Sequence, residues 1–206
     1  MNALTGNILC LVYAIYITFR QILADESPFQ SIQIFDSLRP YFQDFDQYME
    51  SISDGNSDSY ESHNPELFAP DRLVFLDGIL QSRRHGDSQY HEALVHPAMF
   101  AHENPKRVAI VGGGEGATLR EVLKHNTVET VVMLEIDEKM VEMSKEHLPE
   151  WNDCSSLSGS TPSCFDDPRA DLQITDAFAW FIDRFGENGS KKDTKPKFDV
   201  IIMDAL

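Results

Sequence analysis

Blocks of apolar and polar positions alternate through the second half of the chain. Two short runs rich in valine and isoleucine, Val108–Val111 and Val131–Ile136, have the length and composition of buried parallel strands. A glycine-rich turn over Gly112–Ala117 follows the first run, and helix-forming residues then extend from Thr118 to His125. The pattern predicts a strand, turn, helix and second parallel strand in succession.

The same alternation continues toward the last residues. An amphipathic helix should place four apolar side chains inward: Met140, Val141, Met143 and Leu148. The predicted elements from this point onward are a helix over Lys139–Leu148, a strand over Leu172–Thr175, a helix over Ala177–Phe185 and a strand over Phe198–Met203. Strands that alternate with helices indicate an α/β domain with a parallel sheet.

The first half of the chain has a two-residue periodicity, typical of antiparallel strands. Residues 27–37 alternate apolar and polar side chains, and Leu73–Leu76 is the expected partner strand. Asp77-Gly78 is a hairpin turn signal, after which Ile79–Gln81 returns. This region is predicted to be a small antiparallel sheet.

Polar segments and one proline are expected to interrupt regular structure. The Ser-, Asp- and Asn-rich segment Asp46–Pro65 should be a disordered insertion, and Asn152–Arg169 a second polar insertion. A helix over Tyr90–Phe100 should break near Pro97.

A continuous apolar run, Ile8–Phe19, stands at the N-terminus and is short for a membrane span, which needs about 20 apolar residues. Three interpretations stay open: a weak signal or anchor segment, a buried strand or helix of an extension, and a gene-model artefact. The domains predicted are an extension over 1–24, a β region over 25–89 and a catalytic domain over 90–206.

The chain is acidic: 17 Lys and Arg against 34 Asp and Glu among 206 residues give a net charge of −17. Binding to nucleic-acid backbones through charge is therefore excluded, whereas cationic ligands are favoured. The alternative is that the acidity only maintains solubility. Three cysteines, Cys10, Cys154 and Cys164, have neither metal-ligand spacing nor the pattern of a disulfide framework, which favours a reducing compartment.

The glycine turn predicts a nucleotide site. Its glycines, Gly112, Gly114 and Gly116 among them, allow a sharp turn and close approach of a ligand, and free N–H groups at the following helix face that ligand. Glu135, at the tip of the second strand, can accept both ribose hydroxyls. The alternative is a tight turn without a ligand.

Glu115 narrows the choice of nucleotide. A carboxylate within the turn would repel a pyrophosphate and attract a ligand amine. The strand before the glycines has no acid, unlike that of most methyltransferases. Asp176 and Asp204 stand at two further strand tips, where four acids together would repel one another unless a cation lies among them. The alternative is that these acids cap the following helices.

The chain resembles the polyamine synthases, the aminopropyltransferases that include spermidine, spermine and thermospermine synthases. The resemblance extends from Ser27 to Leu206. Its marks are Phe29-Gln30, Leu76–Gln81, Tyr90–Glu92, His96-Pro97, the GGGEG turn, Arg120–His125, Glu135–Asp137, Asp176 with its neighbours, and Phe198–Leu206.

The resemblance implies a Rossmann-like, methyltransferase-type doubly wound sheet and transfer of an aminopropyl group from decarboxylated S-adenosylmethionine to putrescine or spermidine. Such a reaction needs no metal and no prosthetic group. A homodimer in the cytoplasm is expected, with a membrane-anchored or secretory location as the alternative. Because the family has a further aspartate beyond Leu206, the chain is expected to be truncated after its fourth strand, and therefore poorly soluble and inactive by itself.

Residue roles follow from the same resemblance. Glu135 should hold the ribose, while Glu115 and His91 should address the aminopropyl amine. Asp204 with Tyr90 is expected to remove the acceptor's proton. The remaining residues expected to bind adenine or to orient the cofactor and the acceptor are Asp176, Ala177, Gln30 and Gln81.

Three other functions remain possible from the sequence: an S-adenosylmethionine-dependent methyltransferase, an NAD-dependent dehydrogenase and a non-catalytic remnant that binds polyamine or nucleoside. The absence of an acid in the strand Val108–Val111 disfavours the first, and Glu115 disfavours the second.

Overall fold

The computed structural model describes residues 19–38, 46, 49–50, 69–157, 161–186 and 197–205. The chain divides into two compact units, one made of residues 1–26 and 30–85, the other of residues 27–29 and 86–206. The predicted insertion over 46–65 and the apolar run over 8–19 fall almost entirely outside the described residues. No helix in the described part of the chain is both long and apolar enough to cross a membrane.

The first unit contains a four-stranded antiparallel sheet in the order β1–β2–β3–β4. Strand β2 alternates buried and half-buried residues, so that Ile32 and Ile34 pack on one face. The predicted pairing with Leu73–Leu76 is confirmed for Ser31–Ser37, with Ile32 opposite Leu76, whereas residues 27–30 precede the strand. The strands are β1 (Phe19–Glu26), β2 (Ser31–Ser37), β3 (Asp71–Leu76) and β4 (Ile79–Arg83).

The turn between β3 and β4 is also as predicted. Asp77 and Gly78 both have positive φ, 50° and 76°, as the two central residues of a tight hairpin require. Strand β1, by contrast, is not among the elements that the sequence predicts. Its residues are mostly exposed, so that no clear apolar alternation marks it in the sequence.

The second unit is a four-stranded parallel sheet with helices on both faces. Its strand order is β7–β6–β5–β8. The chain runs outward from β5 to β7 and then returns to place β8 on the other side of β5, which creates a topological switch between β5 and β8. The elements are α1 (Asp87–Ala101), β5 (Arg107–Gly112), α2 (Ala117–Leu123), β6 (Thr130–Glu135), α3 (Glu138–His147), β7 (Ala170–Ile174), α4 (Ala177–Phe185) and β8 (Val200–Asp204), with a short 3-10 turn at Cys164–Asp166.

Two apolar layers cover this sheet. On one face, Ile110 and Met133 pack with residues of α1 and α2 such as Met99 and Leu119. On the other, residues of β6 pack against Trp180 of α4. Among the described strands β8 lies at an edge, and its Ile201 and Met203 are about half exposed.

Helix α1 is not broken at Pro97, contrary to the prediction. The helix continues through Pro97 to Ala101. The proline is exposed, while Val95 and Met99 on either side of it are buried in the core. Tertiary packing therefore holds the helix together across a residue that would interrupt it in isolation.

The segment over 152–169 is not the polar surface insertion that its composition indicates. Cys154 and Cys164 form a disulfide with Cα atoms 4.9 Å apart, and both are buried in the core together with Phe165. The prediction of no disulfide is wrong because two cysteines ten residues apart have no distinguishing sequence pattern. The argument for a reducing compartment therefore loses its basis.

Some other details also differ. Met143 is only half-buried, and Ser144 occupies the buried position instead. The hydroxyl of Ser144 donates a hydrogen bond to the carbonyl of Met140, which satisfies it inside the unit. The predicted strands that became β7 and β8 are displaced by two residues at their starts.

Candidate active site

The glycine turn lies where β5 and β8 run side by side. Gly112 is opposite Asp204 in the sheet register, and both Gly112 and Gly113 have φ near 80°. A Cβ at Gly113 would lie 2.9 Å from an Asp204 carboxylate oxygen. Glycine therefore lets the Asp204 side chain approach the turn. That carboxylate accepts a hydrogen bond of 2.6 Å from the hydroxyl of Thr118, in the first turn of α2.

Glu135, the last residue of β6, faces the same turn. It is 7% exposed, and its Oε1 accepts a hydrogen bond of 2.9 Å from the Asp137 amide. Burial raises the pKa of Glu135, while backbone hydrogen bonds from Asp137, Ile136 and Gly114 act in the opposite direction. A Cβ at Gly114 would lie 3.0 Å from Glu135 Oε2. The two strand tips thus bring Glu135 and Asp204 to one glycine turn.

Glu115 projects from this turn toward α1, where it meets His91. Its Oε1 lies 2.8 Å from His91 Nε2, and His91 Nδ1 lies 2.8 Å from a carboxylate oxygen of Asp87. Burial disfavours the imidazolium, but the hydrogen bonds and charges of Asp87 and Glu115 outweigh it and raise the pKa of His91 to about 10. Burial also raises the pKa of Glu115, against the influence of His91. His91 and Glu115 thus form a largely buried ion pair. It lies where the amine of the ligand is expected to bind.

Tyr90 is the neighbour of His91 on α1 and is 59% exposed. Its ring packs edge-on against that of His91, with centroids 4.9 Å apart. Partial burial and then the negative charges of Asp204 and Glu115 raise the pKa of the Tyr90 hydroxyl. Tyr90, Glu115 and Asp204 therefore share one electrostatic environment.

Asp176 stands at the tip of β7, next to the tip of β6. The Thr175 amide donates to the Glu135 carbonyl at 2.8 Å, which ties these two tips together. Asp176 is exposed, and its Oδ1 accepts a hydrogen bond of 3.0 Å from the Ala179 amide, so it caps α4, which begins at Ala177. One carboxylate oxygen of Asp176 therefore caps a helix, which is the alternative role considered for the acids at the strand tips.

The other predicted residues lie in two places. Gly116 is the N-cap of α2, with φ of 88°, and a Cβ there would lie 2.8 Å from the ring of Phe165. The disulfide-closed segment thus supports the back of the turn. Gln30 and Gln81, both half-buried, belong to the first unit, and their roles stay predictions.

Sequence reasoning missed three side chains that hold the site: Asp87, Thr118 and Arg120. Asp87 is four residues before His91, a spacing that brings two side chains together on a helix. Arg120 donates to Asp87 Oδ2 at 2.9 Å. The helical spacing of Asp87 and the position of Thr118 just after the glycines were the available signals. The contact between Asp87 and Arg120 joins two helices, and no signal in the sequence predicts it.

Asp87, His91 and Glu115 are also residue types that bind metals, with one possible ligand atom from each within 4.8 Å of the others. Both ring nitrogens of His91 face carboxylates, however, and its raised pKa keeps both protonated at neutral pH. An imidazolium has no lone pair for a metal. The three side chains are therefore arranged as a chain of close ion-pair contacts.

The spermine/spermidine synthase domain model matches residues 87–206, more than half of the chain. The chain belongs to the spermine/spermidine synthase family. It is 50% identical over 135 residues to polyamine aminopropyltransferase 1 of Hyperthermus butylicus, covering 65% of this chain and 40% of that relative. It is 44% identical over 133 residues to a spermine synthase of Saccharomyces cerevisiae, covering 65% of this chain and 40% of that relative. The chain thus spans about 40% of the length of these curated relatives.

Solved structures agree with the family. The spermidine synthase of Thermotoga maritima has a TM-score of 0.62 and 32% identity, with 91% of this chain and 49% of that chain covered. A spermidine synthase in complex with the transition-state analogue AdoDATO has a TM-score of 0.62 and 33% identity, with 91% and 47% covered. The predicted fold class, an α/β domain of the methyltransferase type with an N-terminal antiparallel sheet, is confirmed by these structures and by the strand order.

Proposed function

We propose that the chain contributes the nucleoside-binding part of an aminopropyltransferase site in polyamine synthesis. The reaction transfers an aminopropyl group from decarboxylated S-adenosylmethionine to putrescine or spermidine and releases methylthioadenosine. The observation that carries this proposal is the buried Glu115, which is held by His91 within a glycine turn and lies under the influence of Asp204. Such a cluster suits a ligand amine and disfavours a ligand carboxylate.

Each residue at the strand tips has a role in this proposal. Glu135 accepts the ribose hydroxyls through the carboxylate that faces Gly114. Asp176 keeps one oxygen on the cap of α4 and uses the other for the adenine amino group, next to the Ala177 amide. Glu115 attracts the aminopropyl amine. Gln30 and Gln81 orient the cofactor or the acceptor, and neither a metal nor a prosthetic group takes part.

The chemical step needs alignment and one proton acceptor. The acceptor nitrogen donates its lone pair to the aminopropyl carbon attached to sulfur, the bond between that carbon and sulfur breaks, and its electron pair neutralises the sulfonium. An alkylamine has a pKa of about 10.4 and is protonated at neutral pH, so a base must take that proton. Asp204, with Tyr90 beside it, is the proposed base. Correct alignment of the amine and the sulfonium can lower the reaction barrier by about 7–11 kcal/mol.

Methyl transfer is less well supported by the same site. S-adenosylmethionine has a carboxylate next to its amine, and that carboxylate would approach Glu115 and Asp204. No residue of β5, Arg107–Gly112, is acidic. A homodimer in the cytoplasm is proposed from the family resemblance alone, because the disulfide between Cys154 and Cys164 removes the support that the cysteines gave to a reducing compartment.

A product assay tests this proposal. A form of the protein with the full length of its curated relatives is incubated with decarboxylated S-adenosylmethionine and either putrescine or spermidine, and methylthioadenosine and the new polyamine are measured by mass spectrometry. Equal amounts of the two products are expected, and Asp204→Asn should abolish both. Methylated products from S-adenosylmethionine, with no methylthioadenosine from the decarboxylated form, would contradict the proposal.

A further inference from the structure

Two histidine rings meet at the surface of the second unit, where α1 and α2 pack together. His96 belongs to α1, and His125 follows the last residue of α2 by two positions. His96 Nδ1 is 3.0 Å from His125 Nε2, and the ring centroids are 5.1 Å apart. Both side chains are half-buried, so a small ion can reach them from solvent. The pair has no role in the reaction described above.

The protonation of the pair leaves lone pairs available. A contact of 3.0 Å between two ring nitrogens requires a lone pair on at least one of them, because two N–H groups would repel each other. Glu121 is fully buried, and its Oε2 lies 3.5 Å from His96 Nε2, the nitrogen that does not face His125. This negative charge favours a proton on Nε2 of His96 and a lone pair on Nδ1. Burial, and then the neighbouring His96, lower the pKa of His125, so its ring is neutral at pH 7.

The separation of the two nitrogens suits a shared metal ion. Two nitrogens that are each about 2.0–2.1 Å from a tetrahedral zinc ion lie about 3.3 Å from one another, which is close to the separation in this pair. Rotation of the two half-buried rings about their Cβ–Cγ bonds turns both lone pairs toward one point. A carboxylate behind one ring, as Glu121 is here, is also the usual partner of a histidine that binds a metal.

The surroundings of the pair are compatible with a bound cation. Phe100 packs against both rings, with centroids 5.8 and 5.2 Å away, and covers part of the pair. The Lys124 ammonium donates a hydrogen bond of 2.8 Å to Glu121 and lies 4.0 Å from Glu92, so two carboxylates offset its charge. The net charge of −17 on the chain favours cations further.

We propose that His96 and His125 bind one zinc ion at this surface, outside the site of aminopropyl transfer, with water in the remaining coordination positions. Imidazole nitrogen suits Zn²⁺, whereas Mg²⁺ and Ca²⁺ prefer oxygen ligands. The ion replaces the proton that the two rings share and joins α1 to the end of α2. Because the unfolded chain does not hold the two rings together, bound zinc stabilises the folded second unit.

Calorimetric titration of the EDTA-treated and dialysed chain with Zn²⁺ at pH 7 tests this proposal. One ion should bind per chain, and Mg²⁺ should not bind at the same place. His96→Gln and His125→Gln should each weaken the zinc affinity by roughly tenfold or more. His102→Gln is the matched control, because His102 is exposed and lies 4.0 Å from Asp199, outside the contact between the two rings. This control should leave the zinc affinity unchanged.

An NMR titration of the imidazole nitrogens in the unaltered chain keeps the proposal testable even if a variant does not fold. Zinc should shift the resonances of His96 and His125 together and leave those of His102 in place. It should also raise the melting temperature of the unaltered chain and of His102→Gln, but not that of His96→Gln. Absence of zinc binding, binding that both substitutions leave intact, or shifts confined to His91 would overturn the proposal. None of these outcomes bears on aminopropyl transfer.

Discussion

Reduction of the disulfide between Cys154 and Cys164 should destabilise the second unit markedly. The bond joins residues ten apart in sequence, and closing a loop of about this length stabilises a fold by about 3 kcal/mol through the lost entropy of the unfolded chain. Both cysteines belong to the core cluster, and neither is exposed. We expect the melting temperature to fall by about 6–12 °C, since about 1 kcal/mol shifts it by about 2–4 °C in a domain of this size class.

Thermal unfolding followed by tryptophan fluorescence measures this change. Trp151 is buried three residues before Cys154, so its emission reports on the segment directly. Oxidised and dithiothreitol-treated samples of the Cys10→Ser variant are compared, with mass spectrometry to verify the thiol count. Because the two samples have the same sequence, their difference isolates the bond. Equal melting temperatures in the two states would refute the reasoning.

Two further predictions concern the charged residues of the site. Glu135→Ala should weaken methylthioadenosine binding by about 2–4 kcal/mol in calorimetry, since the change removes two hydrogen bonds to a charged acceptor, and normal binding would show that Glu135 does not hold the ribose. The raised pKa of His91 means that the folded state retains a proton from pH 6.5 to about 10, so the free energy of unfolding should fall as pH rises through this window. The slope is about 1.4 kcal/mol per pH unit at its steepest, and urea unfolding of His91→Gln should lack that contribution; identical slopes in the two proteins would contradict the assignment.

The sequence predicts most of the second unit because its signals are local. Valine- and isoleucine-rich runs mark β5 and β6, four glycines mark the turn, and the acids that follow the strands mark the tips. Parallel pairing then brings Asp204 next to Gly112 without further information. Asp77-Gly78 likewise determines a hairpin within a few residues.

What the sequence does not predict arises from contacts between distant residues. Asp87 and Arg120 meet because α1 and α2 pack on the same face of the sheet, and no residue near either one indicates this. The segment around Cys154 is polar in composition, yet its few apolar residues and its disulfide are buried. Pro97 appears helix-breaking from its local sequence, whereas core packing on both sides of it maintains the helix.

The central claim is that Glu115 selects a nucleoside with an amine and without a carboxylate. Calorimetric titration of the same chain with decarboxylated S-adenosylmethionine and with S-adenosylmethionine tests it directly, since the two ligands differ only in that carboxylate. The decarboxylated form should bind more tightly, and Glu115→Gln should narrow the difference. Equal affinities, or tighter binding of S-adenosylmethionine, would contradict the account.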